Sequence, residues 1–288
     1  MKRLIVNADG FGFTYGNNRA IFELLPYRFI RSVSVNVTWP AVEEVTRLAR
    51  DFPDVSIGLH WNLSVGPPVC PPREIPSLVQ SNGEFFGREF PKRCLMRRFD
   101  IEDMKRELRA QVDKLHDLGV SITHWDSHQG RFLYPQFFEA ARDVAMERGL
   151  MTVRTTRYYI ARPPGWRWWR VAQYYFGHPR RIASHWLGAR KMAHLRRLGF
   201  RMPDYVLAIP TWGPGAAADP EAWKDCLSRL PAGLGVVVCH PGYPDETLAA
   251  HAHYVEERVE ELNVLRDPEL AAEARRAGVE LVSFREVG

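Results

Sequence analysis

Four side chains able to do chemistry close four separate apolar runs of this 288-residue chain: Asp9, His60, His128 and His240. Neutral imidazole is the commonest ligand of zinc and similar ions, and a carboxylate completes a three-ligand set with one position left for water. A metal so held acidifies that water and polarises a carbonyl oxygen. A separate aspartate could take the water proton, and a separate histidine could protonate a leaving amine. A lone histidine is more often a satisfied structural group, and His116, His178, His185, His194, His251 and His253 are read that way. Three histidines and an aspartate at four run ends are poorly explained so. The stretch His124-Trp125-Asp126-Ser127-His128 adds further candidates, since alternation along a strand puts His124, Asp126 and His128 on one face. Asp126 then either steadies a histidine by hydrogen bonding or is an inward structural polar group. Glycoside hydrolysis needs two facing carboxylates, whereas these run ends supply mainly Asp9 and histidines.

The elements that must position these residues follow from period and punctuation. Short β-branched runs predict strands at Leu4–Asp9, Ser32–Thr38, Ser56–Leu63, Ile122–His128, Thr152–Thr156, Tyr205–Ile209, Leu234–His240 and Val279–Phe284. Helical patterns lie between them at Asn17–Tyr27, Ala41–Arg50, Ile101–Leu118, Pro135–Arg148, Pro220–Ser228, Glu246–Leu262 and Pro268–Ala277, the last ended by Gly278. Such alternation implies a parallel sheet with helical crossovers. Eight strands allow an α/β fold of a single TIM-like (β/α) barrel, regular or irregular, over residues 1–288; a doubly wound open sheet is the alternative. In a barrel the carboxyl ends of the strands, where all four residues fall, form the face on which active sites are built. No internal repeat is evident. Two segments resist the pattern: Gly66–Phe99, rich in Pro and Gly, and a basic insertion, 157–203.

Hydrophobic content of 45% is that of a globular protein. The four cysteines, Cys70, Cys94, Cys226 and Cys239, show no CxxC pairing and read as buried thiols of a cytoplasmic protein. The opening Met1–Asp9 reads as a first strand and not a signal peptide. No apolar run reaches the ~18 residues of a membrane span. The net charge of +5 conceals an asymmetry: twelve Arg and Lys and no acidic residue lie between Arg154 and Arg201, leaving −7 on the rest. That segment also holds Trp166, Trp168, Trp169, Tyr174, Tyr175, Phe176 and Trp186. Nucleic-acid binding would suit charge and stacking, but no such motif is present and none is expected. A solvated helical face would not explain so many tryptophans. Contact with a membrane surface fits best, Trp and Tyr at the interface and Arg and Lys on anionic lipid. The chain is then peripheral to the inner membrane surface.

Several short segments recur in one known family. Asn7-Ala8-Asp9-Gly10-Phe11-Gly12 stands where that family reads NADDFG, followed by Gly16-Asn17-Asn18-Arg19-Ala20-Ile21. Gly58-Leu59-His60, His124 to His128 with Pro135 beyond, Cys239-His240-Pro241, and Arg258 to Leu265 with Val279–Val287 complete the set. Together they resemble the YdjC-type (ChbG-like) carbohydrate deacetylases, which include a hopanoid-biosynthesis-associated subgroup acting on glycosylated lipids. The resemblance implies metal-dependent removal of the N-acetyl group from an amino sugar, lipid-linked if the subgroup applies. It would make Asp9 the general base, His60 and His128 ligands of a divalent Mg or Zn, and His240 the general acid. Arg154 and Asp126 are then candidates for binding substrate. Where the family has a second Asp, this chain has Gly10, and Gly130 and Phe132 replace histidines past His128. Two imidazoles without that carboxylate should hold a metal more weakly. A sugar- or lipid-headgroup-binding protein on the same barrel is the alternative that Gly10 favours.

Overall fold

The computed structural model describes residues 1–160, 179–208, 220–252 and 254–288. His178, His253 and the aromatic residues from Trp166 to Phe176 lie outside them. Among these residues eight strands form one parallel sheet: β1 (Lys2–Phe11), β2 (Ser32–Val35), β3 (Ser56–Trp61), β4 (Trp125–Ser127), β5 (Tyr158–Ile160), β6 (Tyr205–Ala208), β7 (Gly233–Cys239) and β8 (Val279–Val282). The order is β4-β3-β2-β1-β7-β6-β5. β8 pairs with the first half of β1, at Lys2–Ile5, and β2 with the second, at Asn7–Phe11. The sheet curls until its edges approach. The backbone of Trp125 exchanges hydrogen bonds with Thr152 and Arg154, and Val206 donates to the Arg157 carbonyl, so residues 152–157 join β4 to β6. This is the irregular form of the expected (β/α) barrel.

Sequence alternation sorts the strands into two faces. Leu4, Val6, Ala8, Val33, Val35, Leu59, Trp61, Trp125, Val237 and Cys239 pack outward in one large core with the helices. Ile5, Val206, Val236, Val282 and Phe284 form a separate apolar plug, with Val287. Buried on both faces, the inner strands read as near-continuous apolar runs. The helices are α1 (Tyr15–Leu24), α2 (Val45–Asp51), α3 (Phe90–Leu95), α4 (Ile101–Asp117), α5 (Pro135–Glu147), α6 (Pro179–Arg197), α7 (Pro220–Ser228), α8 (Glu246–His251), α9 (Glu256–Leu265) and α10 (Glu269–Arg276). α4 shows why they form. Asp100 caps it by accepting from Glu102 N, Glu102 and Asp103 fill its first turn, and Met104, Leu108, Val112 and Leu115 are buried at helical spacing.

Three elements depart from expectation. No strand named in the sheet covers Thr152–Thr156; only single bridges form, at Thr152 and Val153, and β5 comes later, inside the segment read as an insertion. The expected helix Glu246–Leu262 is two, because Ala252 is extended (φ −108°, ψ 153°). Leu248, buried with Phe13, Trp39 and Val65, holds the first of them down, with Ala252 and Val255 packed alongside. The Pro- and Gly-rich stretch Gly66–Phe99 contains α3, whose Phe90 and Cys94 are buried.

Candidate active site

The inward positions change character along the barrel axis. Above the apolar plug, His124 stacks on Phe284 with ring centroids 3.6 Å apart. A Cβ on Gly58 would fall 2.3 Å from the His124 ring, so a glycine is required where that imidazole lies across β3. One layer higher, Asn7 Nδ2 donates to Ser34 Oγ at 2.9 Å and to Asp9 Oδ1 at 2.7 Å. Ser34 Oγ donates to Asp126 Oδ2 at 2.8 Å. The register aligns these residues: Asp9 opposes Ser34, Ser34 opposes Gly58, and His60 opposes Asp126. At the carboxyl ends stand Asp9, His60, Asp126, His128, Arg154 and His240, all lining a cavity of ≈ 690 Å³. That is the size of a small-molecule site.

Arg154 joins the two carboxylates. Its Nη1 donates to Asp9 Oδ1 at 2.6 Å and reaches Asp126 Oδ2 at 2.7 Å. With Oδ1 held by Arg154 and Asn7, Asp9 keeps Oδ2 free, 3.9 Å from His60 Nδ1 and 3.9 Å from His240 Nε2. The other carboxylate, Asp126, hydrogen bonds to His60 Nδ1, which leaves Nε2 as the imidazole nitrogen open to a further partner. The His60 and His128 rings lie 5.6 Å apart, nearly perpendicular, and His128 Nε2 is buried with no hydrogen-bond partner. Asp9, His60, Asp126, His128, Arg154 and His240 are thus brought to one mouth, Arg154 as the bridge between Asp9 and Asp126, whereas His124 lies below it against Phe284.

The charges are strongly perturbed. Burial works to raise the Asp126 carboxyl, but Arg154 and His60 outweigh it and hold it well below the usual carboxylate range. Burial opposes the charge on His60, yet Asp126 and Asp9 lift it above an ordinary histidine. His128 is driven well down by burial and then by His60, and His240 is pushed by burial to about 4, so both are neutral at neutral pH. Glu261 accepts from His240 N at 2.9 Å, and burial raises its carboxyl to about 7.

The family profile described as YdjC-like protein matches residues 3–276. The chain belongs to the YdjC-like family. It is 33% identical over 284 residues to a carbohydrate deacetylase of Geobacillus stearothermophilus, covering 98% of this chain and 96% of that protein. It is 27% identical over 290 residues to a chitooligosaccharide deacetylase of Serratia marcescens, covering 99% of each. A solved structure from Enterococcus faecalis V583, titled a putative cellobiose-phosphate cleavage protein, superposes with a TM-score of 0.79 at 22% identity, over 100% of this chain and 99% of that one. At that identity the likeness shows the fold.

Two groups of donors in this YdjC-like site suit a divalent ion. Asp9, His60 and Asp126 offer ligand atoms within 4.8 Å of one another. Asp126 Oδ1 is hydrogen bonded to His60 Nδ1 and Asp9 Oδ1 to Arg154, so a metal taking those atoms would have to break buried hydrogen bonds, whereas Asp9 Oδ2 is free. The unpartnered Nε2 of His128 and the free Nε2 of His60 carry no such penalty. Gly10 contributes no carboxylate; it sits at a register shift in β1 with φ +93°, a bulge. Sequence reading missed Asn7, Ser34, Tyr254, Arg258 and Glu261 as residues of this site. Asn7 was legible, two positions before Asp9 on the same strand face. Arg258 and Glu261 were legible as an i,i+3 pair on one face of α9.

Proposed function

We propose that the chain is a metal-dependent carbohydrate deacetylase that hydrolyses the N-acetyl amide of an amino sugar. The observation carrying this is the free Oδ2 of Asp9, 3.9 Å from His240 Nε2, at the barrel mouth where His60 and His128 adjoin. The relatives' names supply the reaction; the geometry supplies residues able to perform it. His60 and His128 would hold the divalent ion, Mg or Zn, and when bound it acidifies water and polarises the amide carbonyl. Asp126 fixes the tautomer of His60, and Arg154 keeps Asp9 aimed. Neither is left free to grip the sugar directly, so their contribution to substrate binding is positional. Asp9 Oδ2 takes the proton of the water that attacks the carbonyl carbon. His240 starts neutral and receives that proton from Asp9. It passes it to the amide nitrogen as the C–N bond breaks, releasing acetate and a free amine. Glu261 holds the His240 backbone in place.

Acetate release from an N-acetylated chito-oligosaccharide, with and without a chelator, tests this. We expect metal-dependent release that Asp9→Asn and His240→Ala each abolish. Sugar binding with no release under any metal would return the protein to the alternative of a binding protein.

We further propose one domain, 1–288, with the basic segment as an insertion at 157–203. The substrate would be lipid-linked, as in the hopanoid-associated subgroup, and the protein peripheral to the cytoplasmic membrane surface. α6 supports that last reading. Trp186 and Leu187 are 57% and 49% exposed, with Arg190 4.7 Å from the Trp186 ring. No helix of the described residues is long and apolar enough to cross a membrane.

A further inference from the structure

His60 and His128 are aimed by different means. Asp126 fixes the ring of His60 through a hydrogen bond to Nδ1. Among the described residues nothing hydrogen bonds to the ring of His128. Its Nε2 is buried without a partner, and the ring meets only the rings of Phe13 and His60, at 6.1 and 5.6 Å. An imidazole without such a bond is aimed by its backbone and its packing. That backbone opens the loop His128–Leu133, in which Gln129 (φ 54°, ψ 22°) and Gly130 (φ 63°, ψ 19°) are both left-handed. Gln129 carries a Cβ, so its conformation is unfavourable unless the surroundings hold it.

Two cations hold the loop, at different points. Arg131 Nε donates to Gln129 Oε1 at 2.9 Å, and its Nη1 donates to the Gly87 carbonyl at 2.8 Å, which ties the loop to the segment before α3. At the far end Lys191 of α6 donates to the Leu133 carbonyl at 2.5 Å, with its ammonium 4.5 Å from the centroid of the Phe138 ring. Between these points Phe132 N donates to Ser127 Oγ at 2.9 Å and closes the loop on β4. The sequence of α6 permits the second hold. Gly188 stands three residues before Lys191 on the same helix face, and a Cβ there would lie 2.9 Å from Thr156 Oγ1 and 3.7 Å from Leu133 Cδ1. Met192 and Leu195 seat the helix in the large core, so Lys191 is not what docks it. Burial pushes the Lys191 amine down to about 8, against Cys94 and Glu139, so it keeps its proton at neutral pH. Both cations spend these donors on neutral oxygens, where a charged donor bonds more strongly than a neutral one.

We propose that Arg131 and Lys191 are positioning residues for His128: together they clamp the loop that carries it, and divalent-metal affinity depends on both. The inference rests on reading His60 and His128 as the metal ligands. The clamp itself is tested without metal, by hydrogen exchange of the peptide 127–134 in protein stripped with chelator and dialysed. Exchange there should quicken about tenfold in Lys191→Met and in Arg131→Met, while the β7 peptide 233–239 keeps the parent rate. Lys191→Arg restores a charged donor and should return the loop to the parent rate. Calorimetric titration with Zn²⁺ alone should then show affinity about tenfold or more weaker in both Met variants, and close to that of the parent in Lys191→Arg. Arg131→Met serves if Lys191→Met does not fold. Unchanged exchange at 127–134 in a folded Met variant overturns the proposal, as does a loosened loop that binds Zn²⁺ as tightly as the parent. Failure of the parent protein itself to bind Zn²⁺ would sink the metal reading instead, and the exchange result would still decide the clamp.

Discussion

Replacing Arg154 with Met strips the shared cation from Asp9 and Asp126 while keeping a side chain of similar length. The Arg154 side chain is 13% exposed, and its contacts with the two carboxylates are 2.6 and 2.7 Å. Breaking a buried pair by removing one partner costs about 3–5 kcal/mol, because the stranded charge keeps its desolvation penalty. Here two carboxylates are stranded, but His60 still partners Asp126 and Asn7 still donates to Asp9, so the same range is expected and not its double. At about 2 °C per kcal/mol for a chain of this size, Tm should fall by about 6–10 °C. The gap should depend on pH in a definite direction. Asp126 is depressed by Arg154, so its contribution is complete above the ordinary carboxylate value of 3.8 and is lost as pH falls through the depressed one. Parent and variant should therefore converge in acid. Zn or Mg should also raise the Tm of the variant more than that of the parent, since the freed carboxylates no longer prefer a guanidinium. Scanning calorimetry from pH 3 to 8, with and without metal, reads all three effects. A variant that melts within a degree of the parent at pH 7 would show that Arg154 is not what offsets these buried charges.

Three other perturbations follow from the same layers. Gly58→Ala places a Cβ 2.3 Å from the His124 ring and should cost about 1–3 kcal/mol; His124→Ala in the same chain should recover most of it, which a double-mutant cycle on denaturant midpoints would show. Glu261→Gln removes a carboxyl raised by burial from 4.5 to about 7, whose stabilising contribution is present below 4.5 and lost as pH rises through 7. The variant should thus gain about 3 kcal/mol over the parent at pH 8 and little at pH 4, since each tenfold change in proton affinity is worth about 1.4 kcal/mol; parallel denaturant curves at both pH values would refute it. His128→Ala deletes the partnerless Nε2 and should lower retained zinc, by elemental analysis after dialysis, with little loss of Tm in chelator.

How much of this was legible depended on whether position along a strand was enough. Asp9, His60, His128 and His240 could be placed because they end apolar runs, and a run end in a parallel barrel has one destination. Arg154 could not be understood that way. Its partners are 145 and 28 residues away in sequence, and it leaves a stretch that hydrogen bonds to two strands without being a regular strand itself. The break between α8 and α9 was also hidden, since the residues on both sides favour helix and only the packing of Leu248 against Phe13 and Trp39 interrupts it. That break has a consequence for the site. A continuous helix from Glu246 would fix Tyr254 and Arg258 to the turn set by Leu248, whereas two helices let the second be oriented independently. α9 is thus free to turn Arg258 and Glu261 toward the cavity, the first beside Gly10 and the other onto the backbone of His240. The strands supply the reacting groups, and this helix supplies the charge around them.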